Sequence, residues 1–209
     1  MRHSFTRFAR AAVLGALILC AFGLPGAAQE LKGKALLAAL QSGGHIVYFR
    51  HFETGQDTPD QITADIENCW TQRNVNAQGL RDAQRIGRFF NDQKIPVGRV
   101  VASPFCRTRH SADLAFGRYE RAEALKILPF KDYTAEQNAV MKAGLMPFVV
   151  PPADRKNTII MAHDDNLVAA GGPLLDVQGE AAVLKPDSQG GFTVVARLKP
   201  DQWRLLAAK

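Results

Sequence analysis

Three separated runs of β-branched and aromatic residues constrain this chain most: His45-Ile46-Val47-Tyr48-Phe49, Val100-Val101-Ala102 and Thr158-Ile159-Ile160-Met161-Ala162. Each has the pattern of a strand buried on both faces, which requires a layer of helices on either side. Each also ends on polar side chains. The first stops at Arg50-His51, the second at Ser103-Pro104-Phe105-Cys106-Arg107-Thr108, and the third at His163-Asp164-Asp165-Asn166. Open α/β sheets hold their ligands at the carboxyl edge of such strands. Three strands that agree in direction deliver two Arg, two His and an Asp to one edge, a set suited to gripping a tetrahedral dianion and attacking it with imidazole.

The intervening segments supply the helices. Ala35 to Leu40 has the Ala/Leu content of a short helix stopped by Gly43-Gly44. Gly79 to Lys94 places Leu80, Ala83, Ile86, Phe89 and Phe90 at helical spacing, with Arg81, Asp82, Arg85 and Arg88 elsewhere on the cylinder. Arg107 to Phe116 reads as a helix that begins after the Ser103-Pro104 turn, with the Thr108 hydroxyl as its expected cap. Leu125 to Leu128 reads as a short strand, and Thr134-Ala135-Glu136-Gln137 as a capping box opening a helix that ends before Pro147. Asn166 to Ala170 is a further short helix, stopped by Gly171-Gly172. Ala181 to Leu184 and Phe192 to Leu198 flank a turn and predict a terminal β-hairpin. The sum is a mixed sheet covered on both faces, α/β in class. Thr54 to Asn76 is polar and without period, a long surface loop of the kind that carries specificity.

Residues 1 to 28 read as a secretory signal peptide: Arg2, Arg7 and Arg10 precede the apolar stretch Ala11 to Leu24, and Pro25-Gly26-Ala27-Ala28 follows. The expectation is one domain over residues 29 to 209 in a periplasmic or secreted protein, with no stable membrane span after cleavage. Removing the leader takes away three Arg and no acid, so the formal charge falls from +6 to +3. So mild a balance, without a Lys/Arg run, gives no argument for nucleic acid. Cys69 and Cys106 are left as an even pair after export, and a disulfide and two separate buried thiols are equally open readings.

Arg50 and Arg107 are the candidate phosphate-binding cations, because a guanidinium offers a planar fork that stays charged. His51 is the candidate nucleophile: a neutral ring nitrogen attacks without first losing a proton. His163 can donate a hydrogen bond to the same group, while His45 and His110 read as structural. The leaving oxygen needs a proton, for which Asp164 is the candidate. Glu53 and Glu136 are the alternatives, and Asp164 and Asp165 also have the chemistry to bind a cation or cap the following helix. Ser103-Pro104 reads as turn chemistry. Neither cysteine has the Arg spacing of a cysteine phosphatase, and no zinc motif occurs.

In combination, Arg50-His51-Phe52-Glu53-Thr54-Gly55, Ser103 to Thr108, and His163 after an apolar strand resemble the histidine phosphatase superfamily, also called phosphoglycerate mutase-like. The resemblance spans about residues 45 to 198 in order, including Gly179-Glu180-Ala181 at the hairpin entry. It implies a three-layer α/β/α sandwich with a mostly parallel mixed sheet and a C-terminal β-hairpin. It implies phosphorylation of His51, a pocket completed by Arg50, Arg107 and His163, and no cofactor or metal. Phe52 stands where the family usually has Gly, so a narrowed pocket or redirected backbone is expected there. His163-Asp164 resembles the His-Asp pair of the acid phosphatase and phytase branch, although the larger helical insertion of that branch is missing. The function expected is an exported phosphomonoesterase acting on a small-molecule or envelope-glycan phosphate ester. The alternative is a non-catalytic phospho-ligand binding domain of the same fold, with Phe52 blocking the nucleophile.

Overall fold

The structure, a computed structural model, describes residues 30–55, 60, 65–128 and 132–208. The leader expected over residues 1 to 28 lies outside them, as does part of the polar loop.

A six-stranded sheet forms the middle layer. Its strands are β1 (Ile46–Arg50), β2 (Val97–Ala102), β3 (Glu120–Arg121), β4 (Asn157–Ala162), β5 (Ala181–Pro186) and β6 (Phe192–Leu198), in the order β3-β2-β4-β1-β5-β6. The pairs β3/β2, β2/β4 and β4/β1 are parallel, whereas β1/β5 and β5/β6 are antiparallel. The sheet is therefore mixed and mostly parallel, closed at one edge by the expected hairpin.

Period-two alternation divides the core between the two faces. Val47 and Phe49 of β1 join Val100, Ile159 and Met161 on one face. There they meet α1 (Gly33–Ser42) through Leu36 and Leu40, α2 (Ala77–Asp92) through Ala83, Ile86 and Phe90, and Ala112 of α3 (Cys106–Phe116). Trp203, in a short 3-10 turn at the C-terminal end, stacks 5.6 Å from Phe49 in the same cluster. Ile46 and Tyr48 face the other way, against Leu145 of α4 (Ala135–Leu145) and Leu167 of α5 (Asp164–Ala169). Helices on both faces make the three-layer α/β/α sandwich.

Most boundaries fall within two residues of expectation, and Thr134 and Gln137 form the predicted capping box. The strand expected at Leu125 to Leu128 is corrected. Glu123–Leu125 is a 3-10 turn, and the edge strand is Glu120–Arg121, two exposed polar residues held by the β2 ladder. Cys69 and Cys106 are joined in a disulfide, with Cα atoms 5.7 Å apart. The bond ties a 3-10 turn, Cys69–Thr71, to the first residue of α3. Among the described residues no helix is long and apolar enough to cross a membrane.

Candidate active site

The parallel ladder brings the strand ends together. Arg50 pairs with Ala162, and Ala102 with Met161, so His51, Ser103 and His163 all emerge one residue later at the same edge. Backbone bonds extend the register past the strands: His51 N–H donates to the Ala162 carbonyl at 2.9 Å and Ser103 N–H to that of Met161 at 3.0 Å.

His51 is 2% exposed. Its Nδ1 lies 2.9 Å from the Phe52 carbonyl, which only accepts, so the ring proton belongs on Nδ1 and Nε2 carries the free lone pair. The backbone on either side is fixed. Gly179 N–H donates to the His51 carbonyl at 2.8 Å, and Phe52 N–H to the Ser111 hydroxyl at 3.0 Å. Burial and then the positive charge of Arg107 hold the His51 pKa well below its usual 6.5, with Arg50 and Arg73 acting in the same direction.

Phe52 does not narrow the site. Its ring is fully buried in the core, 6.0 Å from Phe49, and packs against the place where Gly179 would carry a Cβ. Gly179 has φ +83° and a Cβ there would come within 2.9 Å of the Phe52 ring, so a residue without a side chain suits both the turn and the approach.

His163 is 1% exposed, with its ring centroid 5.6 Å from that of His51. The Ser103 hydroxyl lies 3.0 Å from its Nε2, and the buried Tyr48 hydroxyl donates to its carbonyl at 2.6 Å. Ser103 is thus more than turn chemistry, which corrects the sequence reading. Burial first, then Arg107 and His51, depress the His163 pKa well below 6.5. Both rings are accordingly neutral at pH 7.

Arg107 is 2% exposed, with its guanidinium carbon 4.5 Å over the Phe105 ring and its Nη1 3.1 Å from each carboxylate oxygen of Asp60. Burial pushes its pKa down to about 10, against the pull of Asp60, so it stays charged at neutral pH. Thr108 does not accept as a cap: its hydroxyl donates to the Ser103 and Phe105 carbonyls, each at 2.7 Å, closing the turn that aims Arg107. Arg50 donates Nη1 to the Leu175 and Asp176 carbonyls at 2.8 and 3.2 Å, and its Nε lies 3.3 Å from Asp164. The Nε atoms of Arg50, Arg73 and Arg107 are buried without a hydrogen-bond partner among the described residues. A tetrahedral oxyanion would supply acceptors for such donors.

The carboxylates sort by position. Asp164 is partly buried beside Arg50. The pKa of its neighbour Asp165 is raised by burial and then by Asp164, and Asp165 in turn acts on Arg107 through its charge. Glu53 accepts from the Asn76 side chain at an exposed position. Glu136 is fully exposed at the start of α4, where a bond from its own backbone N–H and then Thr134 lower its pKa, the wrong direction for a proton donor near neutral pH.

The strand ends thus bring together Arg50, His51, Arg107 and His163, with Asp164 beside Arg50. Ser103, Asp60 and Arg73 were not read from the sequence as part of the site. For Arg73 one signal was present, since pairing Cys69 with Cys106 would have set the segment after Cys69 beside Arg107. Among the described residues no group of three or more His, Cys, Asp or Glu side chains could hold a metal ion. A hollow of about 230 Å³ lined by Lys142, Met146, Gly171, Gly191 and Phe192 lies beside the β5–β6 turn, at the sheet end opposite His51.

No family model matches the chain, and no curated protein matches it. Solved structures do. The protein histidine phosphatase SixA complexed with tungstate aligns over 76% of this chain and 98% of its own, at 14% identity and a TM-score of 0.56. A protein of Thermus thermophilus, TTHB049, aligns over 74% of this chain and 99% of its own, at 18% identity and a TM-score of 0.50. The chain has the fold of the histidine phosphatases, the phosphoglycerate mutase-like sandwich.

Proposed function

We propose that this protein is a phosphomonoesterase that works through a phosphohistidine on His51. The observation that carries the reading is the bond from His51 Nδ1 to the Phe52 carbonyl. It leaves Nε2 as a bare lone pair on a neutral ring, beside a second neutral histidine and between guanidinium groups with unpartnered donors.

The reaction then divides into two displacements. A phosphate monoester docks against Arg50 and Arg107, and His51 Nε2 attacks phosphorus as the P–O bond to the alcohol breaks. His163 stabilises the charge on the transferring oxygens. If Ser103 donates its hydroxyl proton to Nε2, the ring proton of His163 sits on Nδ1, a donor for a phosphoryl oxygen. Asp164 protonates the departing alkoxide. Its carboxylate then takes a proton from water, which attacks the phosphoryl group, breaks the P–N bond and releases inorganic phosphate. A second assignment gives the proton to Asp165, whose raised pKa and action on Arg107 suit an acid. Phe52 packs into the core and so lends no support to a blocked, purely binding domain. Export of the mature chain, and a small-molecule or envelope-glycan phosphate ester as substrate, belong to the same proposal. Their support is the basic and apolar leader and a pair of cysteines joined as a disulfide.

The test is hydrolysis of p-nitrophenyl phosphate and of an alkyl phosphate, with acid quench to trap a phosphoenzyme. His51→Ala is expected to lose turnover and the trapped phosphate together; turnover surviving in that variant would end the reading. Asp164→Asn is expected to slow the alkyl ester about 100-fold and the nitrophenyl ester much less, because nitrophenolate leaves without a proton. If Asp165→Asn gives that pattern instead, the acid is Asp165.

A further inference from the structure

We propose that Arg73 is a third phosphate-binding guanidinium of this pocket, carried in by the segment that the Cys69–Cys106 disulfide fastens to the start of α3. This rests on the reading of the pocket as a phosphate site. An arginine in a polar loop is ordinarily a solvated charge, and three observations set Arg73 apart.

The first is its anchorage. The disulfide joins Cys69 to the residue before Arg107, and Cys106 N–H donates to the Gln72 side chain at 2.9 Å, with Gln72 itself fully buried. Asn74 donates back to the Cys69 and Gln72 carbonyls at 2.7 and 2.9 Å. Arg73 therefore sits between two residues that are themselves fixed, one of them directly, to the helix start bearing Arg107.

The second is where it meets Arg107. Arg73 N–H donates to Asp60 Oδ1 at 2.9 Å, and Arg107 Nη1 donates to the same oxygen at 3.1 Å. One carboxylate oxygen thus joins the two residues. From there the Arg73 charge acts on His51, His163 and Arg107 alike, as a guanidinium facing the same space must.

The third is its lack of a partner. Arg107 is paired with Asp60, and Arg50 lies against Asp164. The Arg73 guanidinium has no ion pair or hydrogen bond among the described residues, and its Nε is buried. Each of the other two cations is already offset by a carboxylate, so Arg73 supplies the net positive charge that a phosphoryl dianion needs between two neutral imidazoles.

Binding of inorganic phosphate to the full chain, measured by titration calorimetry, separates this from the catalytic reading because it needs no turnover. Arg73→Gln is expected to weaken binding roughly 10- to 100-fold, the range for losing hydrogen bonds to a charged group. Arg73→Lys, which keeps the charge without the fork, should recover part of it and serves as the test if the glutamine variant misfolds. Replacing Cys69 and Cys106 together by serine should weaken binding in the same direction, and adding Arg73→Gln to that pair should then cost little more. Native affinity in both Arg73 variants, with binding lost in Arg107→Gln, overturns the proposal and leaves the phosphate pocket standing. Native affinity in the serine pair overturns the role of the disulfide. A native chain that binds no phosphate overturns this proposal together with the pocket on which it rests.

Discussion

A carbonyl one residue away decides which nitrogen of His51 is free to react, and a nearby cation decides whether it is protonated. Burial and Arg107 both disfavour the imidazolium, so removing the cation must raise the ring's pKa. In Arg107→Gln the His51 ring is expected to titrate at higher pH than in the native chain, as read from its ring-proton shifts by NMR. An unchanged or lower midpoint would mean that Arg107 does not reach the ring. Arg50, His51, Arg107 and His163 were legible because each follows an apolar run, and a strand's end announces where its next side chains go. Ser103 gave no such notice. Its partner His163 lies 60 residues away, and a serine before proline has an ordinary local explanation. Asp60 and Arg73 sit in a stretch with no periodicity, where only a long-range cross-link fixes position.

Among the elements, α3 matters most to the site because its first turn carries Arg107, and α2 holds α3 in place. Gly87 is where the two helices approach: a Cβ there would lie 2.1 Å from the Ala115 carbonyl oxygen. Gly87→Ala is therefore expected to destabilise the fold by about 1–3 kcal/mol, the usual cost of overpacking. Urea unfolding checks the stability, and weaker phosphate binding would reveal a displaced Arg107. Stability equal to that of the native protein would show that the helices separate at no cost. The helices and five of the strands were readable from apolar spacing, with Asn157 the one polar addition at the start of β4. Its buried side chain donates to the Leu40 and Pro96 carbonyls, 2.7 and 3.0 Å away. The two-residue β3 was not readable, because its exposed Glu120 and Arg121 owe their conformation to the neighbouring strand.

For the whole molecule, two buried neutral histidines make folding depend on pH. Both have folded-state pKa values depressed well below 6.5, so below that pH the unfolded chain takes up protons that the folded one refuses. Stability contributed by these rings is full above about pH 6.5 and falls as the pH drops from there towards their folded values. The urea midpoint is expected to decline between pH 7 and 5, and to decline less in His51→Asn; equal slopes in the two proteins would assign the loss to other groups. The layered fold was legible as a whole because strand runs and amphipathic helices alternate along the chain. The closing of the polar loop onto α3 was not, since two cysteines in a sequence do not state whether they meet. The Tyr48 hydroxyl, reaching from β1 to the backbone of His163 beyond the adjacent β4, has a wider implication. The two imidazoles ride on neighbouring rails whose gauge is set by the sheet itself. Sequence change in surrounding loops can alter what enters the mouth, but resetting the gap between attacker and stabiliser would mean rebuilding the floor on which both stand.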